Sequence, residues 1–323
     1  MSMNSDTSQI KLTKIIPQTL DQTRLDLALS TLLPEYSRAR IQEWVKAGYV
    51  TVDGKIIRSK DKVHADQTVD IIATIANITQ LEPQPIALNI VYEDQDIIIL
   101  NKPAGLVTHP GAGNANNTLL NALLYHYPEL AKLPRAGIIH RLDKDTSGIM
   151  VVARNLMAHN KLVDALQQRK IKREYEAIVN GEMIAGGTIK AAIGRHPTKR
   201  THMAVKENGK AAVTHYRVIK RFTGYTHIQV TLETGRTHQI RVHMAHIGYP
   251  IVGDPTYSNV HKISEKLDPT LREKLRQFGR QALHARRLEL QHPSTDKLMS
   301  WEVKPPKDFE ELLKSLCLCD AKI

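Results

Sequence analysis

The segment HRLDKDTSGIMVVA, residues 140–153, joins a strongly charged stretch to an apolar run. Its first nine residues include a histidine, an arginine, two aspartates and a lysine. The apolar run that follows predicts a buried β-strand. Ionisable groups beside a buried strand are costly unless they are paired or take part in binding or chemistry. The segment therefore predicts a core strand and raises the question of what the charged side chains before it do.

The charged residues also fit two simpler roles. DKDTSG, residues 143–148, resembles the first half of a calcium-binding loop, but the twelfth position is Arg154 instead of a glutamate, and a strand follows instead of a helix. This pattern excludes calcium. The second role is an ordinary surface turn in which Arg141 and Lys144 neutralise Asp143 and Asp145. For these nine residues taken alone, the surface turn is the favoured interpretation.

The chain around this segment predicts a large α+β region that starts near residue 89 and extends to residue 323. Strand-like runs and helical patterns alternate along it, with strands at 96–100, 148–153, 175–179 and 227–233 and helices at 118–126 and 155–168. Residues 262–280 predict a charged helical insertion at the surface.

A smaller unit precedes this region. Leucines at helical spacing predict a helix that Pro34 ends, and Ser37 can begin a second helix over 38–47, which Gly48 ends. The stretch YVTVDGKII, residues 49–57, has the Asp-Gly turn of a β-hairpin. These elements predict a compact domain over residues 20–75. Residues 1–19 predict a loose polar tail, and residues 76–88, with two prolines, predict a linker.

The chain is strongly basic, with 45 Lys and Arg against 33 Asp and Glu and a formal net charge of +12. Such an excess favours polyanionic partners, although charge alone also fits a merely soluble basic protein. The basic residues form clusters, which favours nucleic acid. The clusters are Arg38, Arg40 and Lys46; Arg169, Lys170, Lys172 and Arg173; and Arg195, Lys199 and Arg200.

Composition and the amino-terminal residues predict a cytoplasmic protein without membrane association. No apolar stretch approaches membrane-spanning length, and MSMNSDTSQIKLTKI lacks the apolar core of a signal peptide. Cys317 and Cys319 are too close for an ordinary disulfide and too few for a zinc site, which is typical of a reducing compartment. We expect a monomer.

Four segments, in order along the chain, resemble the pseudouridine synthases of the RluA type. They are LNKPAGLVTHPG (100–111), HRLDKDTSG (140–148), REYEAIVNG (173–181) and ETGRTHQIRVHMAHIGYPIVGDPTY (233–257). Residues 22–75 resemble an S4 domain, an RNA-binding module whose second helix and following turn face RNA. The resemblance implies a pseudouridine synthase catalytic domain over 89–323, with a mixed, largely antiparallel sheet, behind an S4-like RNA-binding domain over 20–75.

The resemblance also implies roles for individual residues. Asp143 is the carboxylate beside C1′ of the target uridine, and Arg241 is its guanidinium partner. Tyr175 stacks on the uracil and could assist proton removal at C5. Arg141 fills the gap that the extruded base leaves. Substrate binding is expected for His140, Lys102 and Leu283, and RNA contacts for Arg38, Arg40, Lys46, Arg195, Lys199 and Arg200.

The implied reaction breaks the bond between C1′ and N1 of uridine and joins C1′ to C5. It involves no redox change and no energy source, so we expect no cofactor. A carboxylate can attack C1′, stabilise positive charge or remove a sugar proton, and the sequence does not decide among these roles. Extruding the base costs a few kcal/mol. His238, His243 and His246 lack the glutamate of an H-E-x-x-H motif, so we expect no metal.

The resemblance implies large-subunit ribosomal RNA, or its assembly precursor, as the substrate. Within it, the implied target is helix 69, the stem-loop that approaches the small subunit. Two other classes stay open. A nucleoside or glycoside hydrolase would share carboxylate chemistry at C1′ but usually needs two matched carboxylates. A non-catalytic RNA-binding or ribosome-assembly factor would use the S4-like domain and the basic surface alone.

Overall fold

The computed structural model describes residues 9–33, 36, 38–74, 82–111, 114–199, 201–258 and 267–320. The chain divides into two compact units, residues 1–80 and 81–323, which we call the smaller and the larger unit. No helix in the described ranges is both long and apolar enough to cross a bilayer.

The smaller unit packs two helices against a three-stranded antiparallel sheet. The strands, in the order β1–β3–β2, are β1 (Gln9–Ile15), β2 (Val50–Val52) and β3 (Thr68–Thr74), and the helices are α1 (Leu25–Leu32) and α2 (Arg38–Lys46). Leu29 of α1, Trp44 of α2 and Val69 of β3 lie in one buried cluster. The apolar faces of both helices therefore meet the sheet, as their periodicity predicts.

Two predictions for this unit are wrong. The tail predicted over residues 1–19 includes β1, which pairs along its whole length with β3. Polar and apolar residues alternate over the first five residues of its sequence, QIKLT, which suits a half-buried strand. The hairpin predicted over 49–57 does not form beyond its turn. Strand β2 pairs with β3, and across the turn only Val52 pairs with Lys55. The Asp53 carboxylate accepts the Thr68 N–H and so ties the turn to β3.

A nine-stranded sheet forms the centre of the larger unit. The strand order is β4–β5–β6–β13–β7–β12–β11–β8, and β14 pairs with β13; β9 and β10 form a separate two-stranded ribbon. The bounds are β4 (Ile90–Glu93), β5 (Ile97–Lys102), β6 (Ser147–Ala153), β7 (Lys172–Asn180), β8 (Gly187–Lys190), β9 (Ile193–Arg195), β10 (Met203–Val205), β11 (Val213–Phe222), β12 (Tyr225–Leu232), β13 (Leu283–Gln291) and β14 (Leu298–Glu302).

The β6–β13 pair is parallel, whereas the other pairings of the described strands are antiparallel. The predicted α+β class with a mixed, largely antiparallel sheet is confirmed. Every residue of β6 is buried, as the apolar run after residue 148 predicts. The apolar half of HRLDKDTSGIMVVA thus lies in the core of the sheet.

Five α-helices accompany this sheet within the described ranges. They are α3 (Leu119–His126), α4 (Leu156–Gln167), α5 (Gln239–His246), α6 (Pro269–Gln277) and α7 (Lys307–Asp320). Helix α6 lies in the predicted insertion and buries Leu271 and Leu275, so it is packed and not merely a surface feature. Part of the predicted linker is bound to α3, because Asn121 donates to the carbonyl of Glu82 and accepts the N–H of Gln84 at its own carbonyl.

Gly148 permits the close approach of β6 and β13. Its φ is +122°, and a Cβ there would lie 2.2 Å from the carbonyl oxygen of Ala285 on β13. Because L-residues rarely adopt this φ, any side chain would both strain the backbone and separate the strands. The DKDTSG turn therefore ends in the residue that lets β13 join the sheet.

Candidate active site

Asp143 lies in the loop that precedes β6, and neighbouring segments hold this loop by its main chain. The Leu142 carbonyl accepts the Thr108 hydroxyl at 2.8 Å, and the Lys144 carbonyl accepts the Gly105 N–H at 3.0 Å. The Asp143 carbonyl accepts the Thr146 N–H at 3.1 Å. The carboxylate of Asp143 is therefore presented from a fixed backbone, which lowers the entropic cost of positioning it.

Lys102 supports this loop through its buried side chain. Its fully buried ammonium donates to the carbonyls of Pro103, Leu106 and Lys144 at 2.8–2.9 Å. Burial lowers the pKa of Lys102 to about 7, an effect that Asp145 and Asp143 oppose. Three carbonyl acceptors match the three N–H groups of the protonated ammonium. The structure thus gives Lys102 a structural contact with the Asp143 loop.

Arg241 joins two carboxylates that are far apart in the sequence. Its Nη1 donates to Asp143 Oδ2 at 3.0 Å, while Nε and Nη2 donate to Asp254 at 2.7 and 2.9 Å. Nη2 also donates to the Thr256 hydroxyl at 3.0 Å. The two bonds to Asp254 hold the guanidinium plane, so a single N–H group is directed at Asp143.

The surroundings of Arg241 explain its charge state. Helix α5 is buried along Gln239–Met244, and the Arg241 side chain is 6% exposed. Burial alone lowers the pKa of Arg241, but the hydrogen bonds and charges of Asp254 and Asp143 outweigh it and raise the pKa above its ordinary value. Asp254 is itself fully buried and accepts the N–H groups of Thr256 and Tyr257.

His238 lies on the other side of Asp143. Its Nε2 is 4.0 Å from Asp143 Oδ1, and its Nδ1 is 2.8 Å from the Tyr257 hydroxyl, which accepts the Met203 N–H of β10. His238 has φ +56° immediately before α5, a left-handed conformation that turns the chain into the helix. Burial lowers the pKa of His238, so the neutral form dominates at neutral pH.

These residues face a cleft of about 990 Å³. The predicted site residues Asp143, Tyr175 and Arg241 line it together, and so do His140, Arg141 and Leu283. The side chain of Asp143 is 17% exposed, so it is accessible from the cleft without being freely solvated. One cleft thus unites every residue predicted to act on the nucleotide except Lys102.

Tyr175 and Leu283 supply apolar surface to this cleft. Tyr175 of β7 is 6% exposed and Leu283, the first residue of β13, is 4% exposed. The two strands are neighbours, with Ala285 opposite Tyr175. Burial raises the pKa of Tyr175 above its ordinary value of 10.0, although Arg173 opposes the shift. The phenol therefore stays protonated at neutral pH.

His140 and Arg141 differ in burial although they are adjacent. His140 Nε2 accepts the Val151 N–H at 3.1 Å, which places the ring proton on Nδ1. Burial, together with Arg173 and His109, lowers the pKa of His140 to about 3. Arg141 is exposed and lines the cleft. His140 therefore anchors the turn to β6, whereas Arg141 is available to a ligand.

The basic residues predicted to contact RNA have different environments. Arg38 is exposed but also forms an ion pair, because its Nη2 lies 2.7 Å from the buried Asp26 carboxylate. Asp26 also accepts hydrogen bonds from Arg24 and Gln42. Lys46, Arg195 and Lys199 are exposed. Arg200 and the side chain of Arg40 lie outside the described residues.

Sequence reasoning missed several residues of the site, namely Asp254, Thr256, His238, Tyr257, His109 and Arg173. Asp254 to Tyr257 belong to the segment 233–257 that carries the family resemblance, so the signal for them was present. A buried arginine on α5 requires an acid partner, and the acid nearest after it in sequence is Asp254. Only the fold shows that Asp143 and Asp254 share that arginine.

Two family models match the chain. Residues 96–246 match the model described as RNA pseudouridylate synthase, and residues 23–69 match the model described as S4 domain. The first range holds Asp143, Tyr175 and Arg241, and the second covers α1, α2 and β2. These matches define the class of the protein, an RNA-modifying isomerase that carries an RNA-binding module.

Similar proteins narrow this class. The chain is 54% identical over 301 residues to ribosomal large subunit pseudouridine synthase D of Pseudomonas aeruginosa, an alignment that spans 93% of this chain and 94% of the relative. The protein of the same name from Pasteurella multocida is 53% identical, over 91% of this chain and 91% of its own length. The one from Escherichia coli K12 is 52% identical, over 95% of this chain and 94% of its own length. The chain belongs to the RNA pseudouridylate synthase family.

Solved structures agree with this assignment. Human RNA pseudouridylate synthase domain containing 4 superposes with a TM-score of 0.56 at 25% identity, covering 71% of this chain and 93% of that one. Human RNA pseudouridylate synthase domain containing 1 superposes with a TM-score of 0.53 at 28% identity, covering 69% of this chain and 85% of that one.

Proposed function

We propose that the protein isomerises specific uridines of large-subunit ribosomal RNA to pseudouridine, at the stem-loop called helix 69. The substrate follows from relatives of at least 52% identity that are named for the ribosomal large subunit. The S4 domain and the net charge of +12 suit a large polyanionic RNA. The two thiols Cys317 and Cys319, both free, suit action in a reducing cytoplasm.

Asp143 is the proposed catalytic residue. Breaking the C1′–N1 bond leaves positive charge on the ribose, and a carboxylate next to C1′ can bond to that carbon or stabilise the charge. Arg241 donates a hydrogen bond to this carboxylate at 3.0 Å and fixes its direction. The Asp143–Arg241 contact in the cleft is the observation that carries the proposal.

The uracil must stay bound after the bond breaks, so that C5 can replace N1 opposite C1′. We propose that Tyr175 and Leu283 hold the detached ring by stacking and apolar contact. Both are buried at the cleft wall, and a ring between them can turn in its own plane without losing contact. The protonated phenol of Tyr175 suits stacking better than proton removal from C5.

The target base must leave its stack before it reaches Asp143. Asp143 is only 17% exposed, whereas Arg141, which lines the same cleft, is exposed. We propose that the Arg141 side chain takes the place of the extruded base in the RNA. A planar guanidinium stacks on the neighbouring bases, which offsets part of the few kcal/mol that extrusion costs.

The hydrolase alternative is less well supported. Among the described residues that line the cleft, the carboxylates are Asp143 and Glu233. Glu233 is bound by Arg169 at 2.8 Å and by His215 at 2.7 Å, and Asp254 is bound by Arg241. The cleft therefore does not present the second free carboxylate that most glycosidases use.

The decisive test substitutes Asp143 by asparagine. Single-turnover release of tritium from 23S ribosomal RNA labelled at uridine C5 is expected to fall below detection in Asp143→Asn, while RNA affinity and thermal stability stay near those of the wild type. Asp296→Asn is the matched control, because Asp296 is 78% exposed and outside the cleft. Wild-type release at an unchanged rate in Asp143→Asn would refute the proposal, and free uracil as the product would favour a hydrolase.

A further inference from the structure

A second buried arginine in the larger unit differs from Arg241 in having no partner among the described residues. Arg173 of β7 is 8% exposed and is one of the residues that line the cleft. Its Nε is buried without an acceptor. Within the part of the chain that the structure describes, no side chain or carbonyl accepts a hydrogen bond from Arg173, and no carboxylate lies within salt-bridge distance.

This arrangement is costly in the free protein. A buried guanidinium carries a full charge and five N–H groups, and losing water without compensation destabilises the folded state. Arg241, in the same cleft, has its buried charge compensated, because its three nitrogens donate hydrogen bonds to two carboxylates and a hydroxyl. A buried polar group left without partners is uncommon and commonly marks a ligand site or function.

The charges around Arg173 do not supply the missing partner. Besides Arg173 and Arg241, the arginines at the cleft are Arg135, Arg141, Arg169 and Arg236. Asp143 is engaged by Arg241, and Glu233 by Arg169 and His215. The nearby His140 and His109 are neutral at pH 7, because burial lowers their pKa values to about 3 and about 4. The cleft therefore has surplus positive charge around Arg173.

The position of Arg173 indicates which anion would bind. Arg173 and Tyr175 are two residues apart on β7, so their side chains leave the strand on the same face, about 7 Å apart. A nucleotide whose base contacts Tyr175 has its phosphates within a similar distance of that base. Guanidinium groups bind phosphate oxygens by paired N–H bonds.

We propose that Arg173 is the binding site for a backbone phosphate of the substrate RNA, at or next to the target uridine. The inference rests on the proposed function, which supplies the RNA. A bound phosphodiester would satisfy the guanidinium that the protein leaves without acceptors. Arg173 then acts as a positioning residue that fixes the ribose relative to Asp143.

Gly235 makes room for this guanidinium. A Cβ at residue 235 would lie 2.8 Å from Nη1 of Arg173. The contacted atom is the end of a flexible side chain, so Gly235→Ala can fold if Arg173 moves away. This substitution offers a way to displace Arg173 without removing its charge.

The first experiment compares Arg173→Met with the wild type. Because methionine keeps most of the volume but needs no anion, the melting temperature of the free protein should be equal or higher. Affinity for a 23S ribosomal RNA fragment should fall about tenfold, and the slope of log K against log salt should become shallower by about 0.7 to 0.9. Arg217→Met is the control, because Arg217 is exposed and lies outside the cleft. This variant should keep the RNA affinity and the salt slope of the wild type. A lower melting temperature with an unchanged salt slope, or failure of Arg173→Met to fold, would overturn the inference.

The second experiment removes the charge on the RNA. A methylphosphonate is placed in turn at the linkages flanking the target uridine, and single-turnover rates are measured with the wild type, Arg173→Met and Gly235→Ala. At one linkage the neutral group should slow the wild type about tenfold and Arg173→Met hardly at all, with Gly235→Ala between them. Equal slowing of wild type and Arg173→Met at every linkage would overturn the inference. If the wild type forms no pseudouridine in unmodified RNA, the proposed function fails instead.

Discussion

Arg241 gives two of its nitrogens to Asp254, at 2.7 and 2.9 Å, and leaves Nη1 for Asp143 at 3.0 Å. Asp254 is completely buried and cannot touch the substrate, whereas Asp143 lines the cleft. The two carboxylates thus have different tasks on one guanidinium. Asp254 holds the arginine, and the arginine holds Asp143.

Asp254→Asn should reduce catalysis without removing any group from the cleft. The amide would present an N–H where Arg241 needs an acceptor, so the guanidinium would rotate and release Asp143. We expect a rate loss of about 100-fold and a stability loss of about 3 kcal/mol. Single-turnover tritium release and urea unfolding measure the two effects, with Asp296→Asn as control. Wild-type values for both quantities would contradict the shared-arginine interpretation.

Substitutions at Tyr175 separate stacking from proton transfer. If the phenol acts by stacking, Tyr175→Phe should stay within about tenfold of the wild-type rate, whereas Tyr175→Leu should lose about 1–3 kcal/mol of binding to the base. The raised pKa of Tyr175 supports this order. Single-turnover rates at saturating RNA provide the measurement. Equal inactivity of both variants would instead indicate that the hydroxyl is required.

Arg141→Met should affect structured RNA more than unstructured RNA. Arg141 is exposed and makes no hydrogen bond or ion pair with any other described residue, so stability should change by less than about 0.5 kcal/mol. The rate on a stem-loop should fall by more than tenfold, because base extrusion costs a few kcal/mol there. A single-stranded oligonucleotide with the same target sequence is the comparison. Equal losses on both RNAs would exclude a role in extrusion.

His140 makes a defined contribution to acid sensitivity. The pKa is 6.5 in the unfolded chain and about 3 in the fold, so between these values only the unfolded state binds a proton. Stability therefore falls as the pH drops below 6.5, by up to about 1.4 kcal/mol per pH unit from this group. His140→Gln keeps an acceptor for the Val151 N–H and should lose this part of the slope. Urea unfolding at pH 7, 6 and 5 tests it, and identical slopes would refute the assignment.

The sequence predicted the elements with strong periodicity. The buried strand after Gly148 and helices α3 and α4 occur close to their expected bounds. Strand β6 and helix α3 are largely apolar runs that are buried along most of their length, and α4 buries Ala158 and Leu162, which are spaced four residues apart. Strand β13 was not predicted. Its sequence LHARRLELQ contains three charged residues, and its place in the sheet depends on strand neighbours from residues 147–153 and 172–180.

The residues that the family resemblance names for contact with the nucleotide lie together in the cleft, with the exception of Lys102. The residues whose role depends on three-dimensional contacts were not predicted. Asp143 and Arg241 were paired on resemblance, and the fold places them in contact. Lys102 was assigned to the pocket, but its three carbonyl contacts place it behind the Asp143 loop. Arg173 stands out because its buried Nε finds no hydrogen-bond acceptor among the described residues around it. No local sequence pattern predicts the lack of such an acceptor.

Strand β13 fills the gap between β6 and β7 and comes from residues 283–291 of the 323-residue chain. Asp143 precedes β6 and Tyr175 lies on β7, so the two walls of the cleft are joined through a strand synthesised late. During translation the edges of β6 and β7 lack their common neighbour, and such open edges attract other strands. Until residues 283–291 have been added, the nascent chain therefore lacks the strand that joins the Asp143 side of the cleft to the Tyr175 side.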